Sequence, residues 1–309
     1  MDIVVPVIIF IVGAMMGSFT ACQVWRLENG DKSKRSHCMK CGYKLKWYDN
    51  VPILSWLFLR GKCRKCGKKI GAMEILSELG MGLVFLLSYF LWPNREMITG
   101  LFEYHPMADA PLIKNASLLG VAPELGYLEL AKFIVFLALL VALGVCFIYD
   151  LRYSELPMKA MSIGIVLAAL FASLSIAAEL RLDAVMAPEA ALSGFVMDKI
   201  LGYGGAALVL PVLYFCMYKI SHERWVGGGD WILNIALALI LGDFWLGICT
   251  MFLANMLGLV FSLPMLMGKK DKKSKVKKLD MQIPFGPFLI SACWIVFMLQ
   301  NQVLGFFVF

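Results

Sequence analysis

Long apolar runs constrain this chain more than any other feature of its sequence. About 20 apolar residues cross the ~30 Å hydrocarbon core of a bilayer, and we predict eight spans on that basis. They cover residues 3–24, 75–92, 128–149, 158–178, 195–218, 231–241, 244–267 and 283–306. The sixth is short, which is tolerated where backbone lines a polar cavity. With 60% hydrophobic and 17% charged residues, the composition agrees with an all-α polytopic membrane protein.

The basic residues are concentrated in two loops. Thirteen Lys and Arg lie within residues 26–69 and seven within 269–278, against two within 93–127. Loops rich in Lys and Arg stay in the cytoplasm. With eight spans, both termini then face outward, and Asp150 and Asp230 both lie at cytoplasmic ends of their runs.

The same charge pattern decides three further points. Merging the sixth and seventh runs at Gly242-Asp243 would put the two basic loops on opposite faces, so we predict separate spans. No basic residue precedes the first run, so we predict a retained span rather than a cleaved signal peptide. The net charge of +7 reflects topology and contact with anionic membrane lipids, and a nucleic-acid partner is not required.

The polar segment over residues 26–72 carries two C-x-x-C pairs. Cys38 and Cys41 form the first pair and Cys63 and Cys66 form the second, with 21 residues between the pairs and a glycine after each pair. Four thiolates in this arrangement predict a tetrahedral zinc site. Two disulfides or four unliganded thiols are the alternatives, and a reducing cytosol disfavours the disulfides. A metal would stabilise a loop that is too short to build a core.

Two aspartates stand at the ends of apolar runs. Asp150 ends the third run, and Asp230 directly follows Gly227, Gly228 and Gly229. An ionisable residue at a bilayer is costly, so it indicates a functional site. Two carboxylates brought together share a proton, which is the chemistry of aspartic proteases. Alternatively, Asp150 only caps a helix end. The glycines either form a hinge or let an extended substrate backbone approach Asp230.

Several motifs occur together in one order along the chain. They are Gly17-Ser18-Phe19, the two C-x-x-C pairs with Trp47-Tyr48-Asp49-Asn50-Val51-Pro52 and Leu54-Ser55-Trp56 between them, Asp150 with Pro157, Gly227-x-Gly229-Asp230, and Pro284-Phe285-Gly286-Pro287-Phe288. In this order they resemble the bacterial type IV prepilin peptidases over nearly the whole chain.

The resemblance implies an aspartic endopeptidase of the bacterial inner membrane that removes the leader peptide of prepilins or pseudopilins at the cytoplasmic face. It also implies N-methylation of the new amino terminus with S-adenosylmethionine. Asp150 and Asp230 match the catalytic aspartates, and the four cysteines match the metal-binding pairs. Residues 231–233 lack a lysine often found there, which bears on substrate positioning. Residues 73–75 replace an Arg-Tyr-Pro stretch, which bears on methylation, although Glu78 matches.

We therefore predict a first transmembrane helix over residues 1–25, a cytoplasmic zinc-ribbon-like loop over 26–72 and a seven-helix peptidase core over 73–309. Residues 93–127, expected to be irregular, and 180–194 are predicted outward loops. Two other functions stay open at this stage. A presenilin-like intramembrane protease shares the G-x-G-D aspartate but lacks the cysteine pairs. A non-enzymatic scaffold would use the zinc loop to dock a pilus or secretion machine.

Overall fold

The computed structural model describes residues 3–31, 35–38, 40–99, 116–186, 191–222, 226–267 and 284–306. Within these ranges the chain is helical, without a strand beyond two isolated bridges, so the all-α prediction is confirmed. The helices are α1 (Val4–Asn29), α2 (Leu54–Phe58), α3 (Ala72–Phe90), α4 (Arg95–Thr99), α5 (Ala116–Tyr153), α6 (Met158–Met186), α7 (Ala191–Ala207), α8 (Leu213–Ser221), α9 (Asp230–Leu241), α10 (Phe244–Met267), α11 (Gly286–Met298) and α12 (Gln300–Gly305).

Six helical segments are long and apolar enough to cross a membrane. They are α1, α3, most of α5, most of α6, α7 continuing into α8, and α10. The other two predicted spans hold shorter apolar helices, α9 with 12 residues and α11 with 13. At 1.5 Å per residue, each is roughly 20 Å long. Every predicted run therefore contains an apolar helix, and two of these helices are shorter than the bilayer core.

The helix boundaries explain two features of the bundle. A π-helical turn at Leu208–Val212 joins α7 to α8 and contains Pro211, whose ring and missing N–H disturb an α-helical turn. The sixth and seventh runs are separate, because α9 ends at Leu241 and is followed by Gly242 with φ 60°. The Asp243 carboxylate then accepts the N–H of Trp245 at 2.8 Å, which caps the start of α10.

The predicted outward loops are partly helical, which corrects the expectation of an irregular segment over 93–127. Helix α4 and the first turns of α5 lie there, α6 extends to Met186, and α7 begins at Ala191. Hydropathy indicates where a chain enters the apolar layer, whereas a helix continues as long as its backbone hydrogen bonds do. A Lys199–Glu179 ion pair joins α7 to α6, just after the apolar run that ends at residue 178. Residues 100–115 and the lysine-rich 269–278 lie outside the described residues.

The contacts between helices show how the bundle is organised. Helix α1 packs closely along α3. Gly17 permits this approach, because a Cβ there would overlap the carbonyl oxygen of Ser77. Helix α5 contacts α1, α6 and α11, and α9 contacts α6, α7 and α11. Tyr149 near the end of α5 donates to Glu28 at the end of α1 at 3.3 Å. The end of α5 therefore lies at the same end of the bundle as the segment over 30–71, which we call the cysteine loop.

Candidate active site

Asp150 lies in the last turns of α5 and is 5% exposed. Its Oδ2 accepts the backbone N–H of Gly286, the first residue of α11, at 2.9 Å. A Cβ on Gly286 would lie 2.8 Å from this oxygen, so only a glycine permits the approach. The carboxylate is thus oriented by the start of another helix, 136 residues later in the chain.

Asp230 is the first residue of α9 and is 7% exposed. Its Oδ2 accepts the N–H of Gly227 at 3.1 Å, and the start of the helix favours a negative charge here. A Cβ on Gly228 would lie 3.4 Å from the Tyr218 ring, and one on Gly229 would lie 2.9 Å from Leu156 Cβ. A side chain is therefore excluded most strongly at Gly229, because Leu156 packs closely against this residue.

Leu156 connects the surroundings of the two aspartates. It follows the end of α5, and its side chain lies against Gly229 before α9 and Gly286 at the start of α11. Asp150 reaches this junction through its hydrogen bond to Gly286, and Asp230 directly follows Gly229. The structure therefore brings Asp150 and Asp230 together at one end of the bundle, both buried. Taking charged carboxylates out of water costs several kcal/mol each, and neighbouring carboxyl groups resist joint ionisation, so this pair is suited to hold a single proton.

Sequence reasoning missed three residues at this junction. Gly286 lies within a quoted motif, but its role as a hydrogen-bond donor to Asp150 appears only in three dimensions. Leu156 carries no sequence signal. Asn234, one turn after Asp230, is fully buried, and neither of its amide atoms has a partner within the described residues. A single amide in an otherwise apolar run over 231–241 was the signal that could have identified it.

The four cysteines of the loop come together as predicted. Their Sγ atoms all lie within 4.8 Å of one another, and the Sγ atoms of Cys38 and Cys66 are 3.8 Å apart. Tetrahedral zinc with Zn–S bonds of ~2.3 Å separates its sulfurs by roughly 3.8 Å. All four cysteines are free rather than disulfide-bonded. This donor set fits a zinc ion.

Both cysteine pairs are built by the same turn. The N–H of Gly42 bonds to the Cys38 carbonyl at 2.9 Å, and the N–H of Gly67 bonds to the Cys63 carbonyl at 2.9 Å. These glycines have φ values of 65° and 68°, a region that L side chains rarely adopt. Hydrogen bonds from backbone N–H groups lower the pKa of the Cys38 thiol to about 6. The turn thus favours the thiolate, the form that binds metal, at Cys38, whereas burial and the neighbouring thiols raise the pKa of Cys41 to about 11.

Two carboxylates fasten the cysteine loop. Asp49 Oδ1 accepts Arg64 Nε at 2.7 Å, and its Oδ2 accepts the N–H of Lys46 at 3.2 Å. Burial alone would raise the pKa of Asp49, but these hydrogen bonds outweigh it and hold the pKa below its ordinary value. Glu78 on α3 accepts the N–H of Ile53 at 2.7 Å. The loop is therefore tied both to its own second cysteine pair and to the bundle.

Comparison with known proteins gives one family model and several similar proteins. Residues 11–92 match the family described as the Bacterial Peptidase A24 N-terminal domain. A prepilin leader peptidase/N-methyltransferase of Vibrio cholerae is 36% identical over 115 residues, 33% of this chain and 46% of the relative. The protein of the same name in Myxococcus xanthus is 40% identical over 31% of this chain and 29% of the relative.

A third relative is similar along almost the entire chain. The prepilin leader peptidase/N-methyltransferase of Dichelobacter nodosus is 28% identical over 96% of this chain and 87% of the relative. The match thus covers less than half of the first two relatives and most of the third. No solved structure matches the chain.

Proposed function

We propose that this protein is an aspartic endopeptidase that removes the leader peptide of type IV prepilins or pseudopilins. Its resemblance to the bacterial prepilin peptidases is confirmed by a relative that matches 96% of the chain. The names of the relatives support the substrate class. The observation that carries the catalytic type is the convergence of two buried carboxylates, Asp150 and Asp230, at one end of the bundle.

In the proposed reaction, one carboxyl group is protonated and polarises the scissile carbonyl. Its ionised partner takes a proton from the attacking water, and each such role typically contributes about 10²- to 10⁴-fold to the rate. The N–H groups of Gly286 and Gly227 each hold one carboxylate oxygen. Their role is to fix the direction in which the reactive groups point, because misplacement by about 1 Å costs on the order of 10²-fold.

We place this site at the cytoplasmic face of the bacterial inner membrane. The cysteine loop with its many basic residues lies at the same end of the bundle as Asp150, and basic loops remain in the cytoplasm. Zinc in the four-cysteine site would have a complete set of ligands and a structural role.

The relatives' names also support a second activity, methylation of the amino terminus freed by cleavage. S-adenosylmethionine, when bound, supplies a methyl group whose C–S bond breaks as a C–N bond forms, while the amine loses a proton.

The decisive experiment is cleavage of a purified pilin precursor by the reconstituted protein. We expect Asp150→Asn and Asp230→Asn each to reduce cleavage by at least about 10³-fold, because each removes one acid–base role. Asp198→Asn is the matched control, since the side chain of Asp198 is 80% exposed and lies away from the pair. Normal cleavage by either variant, with the protein inserted and monodisperse, would remove that aspartate from the mechanism and favour the scaffold function.

A further inference from the structure

Asn234 carries the single amide side chain in the apolar run of α9 over residues 231–241. The residue is 0% exposed, and its amide nitrogen and amide oxygen are both buried without a partner within the described residues. Burying an amide without hydrogen bonds costs about 1 to 3 kcal/mol, so stability does not account for its presence. A buried polar group of this kind indicates a hydrogen-bond partner outside the polypeptide.

A second asparagine in an apolar helix shows how such an amide is satisfied by its own helix. Asn255 of α10 donates from Nδ2 to the carbonyl oxygen of Met251, one turn earlier, at 2.7 Å. Neither amide atom of Asn234 makes a bond of this kind within the part of the chain that the structure describes. The amide of Asn234 is therefore left for another partner.

Asn234 lies one turn after the carboxyl group of Asp230. Residues four apart on a helix share one face, with about 5 to 6 Å between their Cβ atoms, and both residues belong to the buried side of α9. Among the described residues, Gly227 is the donor to this carboxylate, and it bonds to Oδ2. A carboxylate oxygen accepts two hydrogen bonds, so Oδ1 has room for a further donor besides its part in the reaction.

A single water molecule suits the space between these two groups. Polar groups that do not touch directly are commonly joined by an ordered water, and a buried water needs two to four polar partners. The amide of Asn234 offers one donor and one acceptor, and Oδ1 of Asp230 offers a second acceptor. A substrate peptide does not reach this position, because Asn234 is 0% exposed.

We infer that Asn234 is a positioning residue for Asp230, and that it binds one buried water molecule that donates a hydrogen bond to Oδ1. The N–H of Gly227 then fixes one carboxylate oxygen, and the water fixes the other. Asn234 acts through Asp230 and does not touch the substrate. The inference rests on the proposed aspartic mechanism and adds a residue to it.

The first test is Asn234→Leu, which replaces the amide by an apolar group of similar shape. We expect a 10- to 100-fold lower kcat for leader cleavage, since a misplacement of about 1 Å has effects of this order. KM should stay unchanged, because Asn234 does not contact the substrate. The midpoint of thermal unfolding should be equal or higher, because a buried polar group without a partner is removed.

The second test is the conservative variant Asn234→Ser. A serine hydroxyl both donates and accepts a hydrogen bond, and its smaller side chain leaves room for the water. We expect Asn234→Ser to retain most of the wild-type kcat, although the lost packing lowers its thermal stability. The order of the two variants in activity is therefore the reverse of their order in stability.

The matched control is Thr250→Val on α10. Thr250 is also 0% exposed, and its hydroxyl oxygen is also buried without a partner within the described residues. Helix α10 supplies neither an aspartate nor a donor to the pair. Thr250→Val should therefore keep the wild-type kcat, with equal or higher thermal stability.

The outcomes separate this inference from the function on which it rests. Normal cleavage by Asp150→Asn or Asp230→Asn would contradict the proposed mechanism itself. If both aspartate variants are inactive, wild-type kcat in Asn234→Leu would overturn the positioning role alone. A lower unfolding midpoint in Asn234→Leu would assign Asn234 a structural role instead. Equal losses of kcat in Asn234→Ser or in Thr250→Val would also overturn the inference.

Discussion

The aspartate pair and the cysteine loop are built in opposite ways. The aspartate pair joins the end of α5 to the starts of α9 and α11, and Asp150 contacts a residue 136 positions away. The cysteine loop uses one short turn twice, with the same 2.9 Å hydrogen bond after Cys38 and after Cys63. The first site depends on the packing of the whole bundle, whereas the second depends on local backbone geometry and four sulfur atoms.

This difference predicts which changes each site tolerates. A site made by helix packing is sensitive to a single added methyl group, because a packed interior has no room for one. A site made by a metal and local turns is sensitive to loss of ligands, because the metal replaces the missing core. Three tests probe the contrast, and they are taken from the largest expected effect to the smallest.

The largest effect is expected from replacing all four loop cysteines by serine. Zinc in such a site contributes on the order of 10 kcal/mol to folding of the metal-binding unit. We expect elemental analysis to give one zinc per chain for the wild type and none for the variant. Hydrogen exchange in the cysteine loop should become fast while α5 and α9 stay protected.

The matched control replaces Cys216, which is exposed on α8 and lies outside the cluster. Cys216→Ser should keep one zinc per chain and the protection of the loop. A metal-free wild type would contradict the zinc assignment. Loss of protection throughout the bundle in the four-serine variant would contradict the local character of this site.

The two regions also differ in how far their sequence predicted them. The cysteine spacing and the glycines after each pair were sufficient, because ligand number and turn conformation are local properties. For the bundle, hydropathy located all eight apolar helices but not their ends, since a helix such as α6 continues beyond the apolar layer. The aspartates were identified by their cost in a membrane. Their neighbour Leu156 could not be, because an ordinary apolar residue acquires a role only through packing, whereas the single amide of Asn234 in an apolar run was a signal that could have been used.

A smaller effect is expected from Gly286→Ala, which tests the packing of the aspartate pair. The added Cβ would lie 2.8 Å from Asp150 Oδ2, so the carboxylate or the start of α11 must shift. A displacement of about 1 Å predicts a 10- to 100-fold lower kcat for leader cleavage, with little change in KM. Gly164→Ala on α6 is the control, because nothing lies within 4 Å of its added Cβ. Equal activity of the two variants would show that the aspartate pair is less closely packed than proposed.

The smallest effect concerns the ion pair of Asp49 with Arg64 inside the cysteine loop. The Arg64 side chain is 47% exposed although it contacts Asp49 at 2.7 Å, so solvent weakens the attraction between the two charges. We expect a coupling of about 0.5 to 1 kcal/mol in a double-mutant cycle of Asp49→Asn and Arg64→Ala. The readout is the free energy of loop opening from hydrogen exchange in the zinc-loaded protein.

The direction of the Asp49 pKa shift predicts how this coupling changes with pH. The pKa of Asp49 is lower in the folded loop than its ordinary value, which is about 3.9 when unfolded. Its stabilisation is therefore fully present above pH ~4 and is lost as the pH falls through the folded pKa. Between pH 6 and 8 the coupling should stay constant. A coupling that vanished within this neutral range would mean that Asp49 is not the group that fastens the loop.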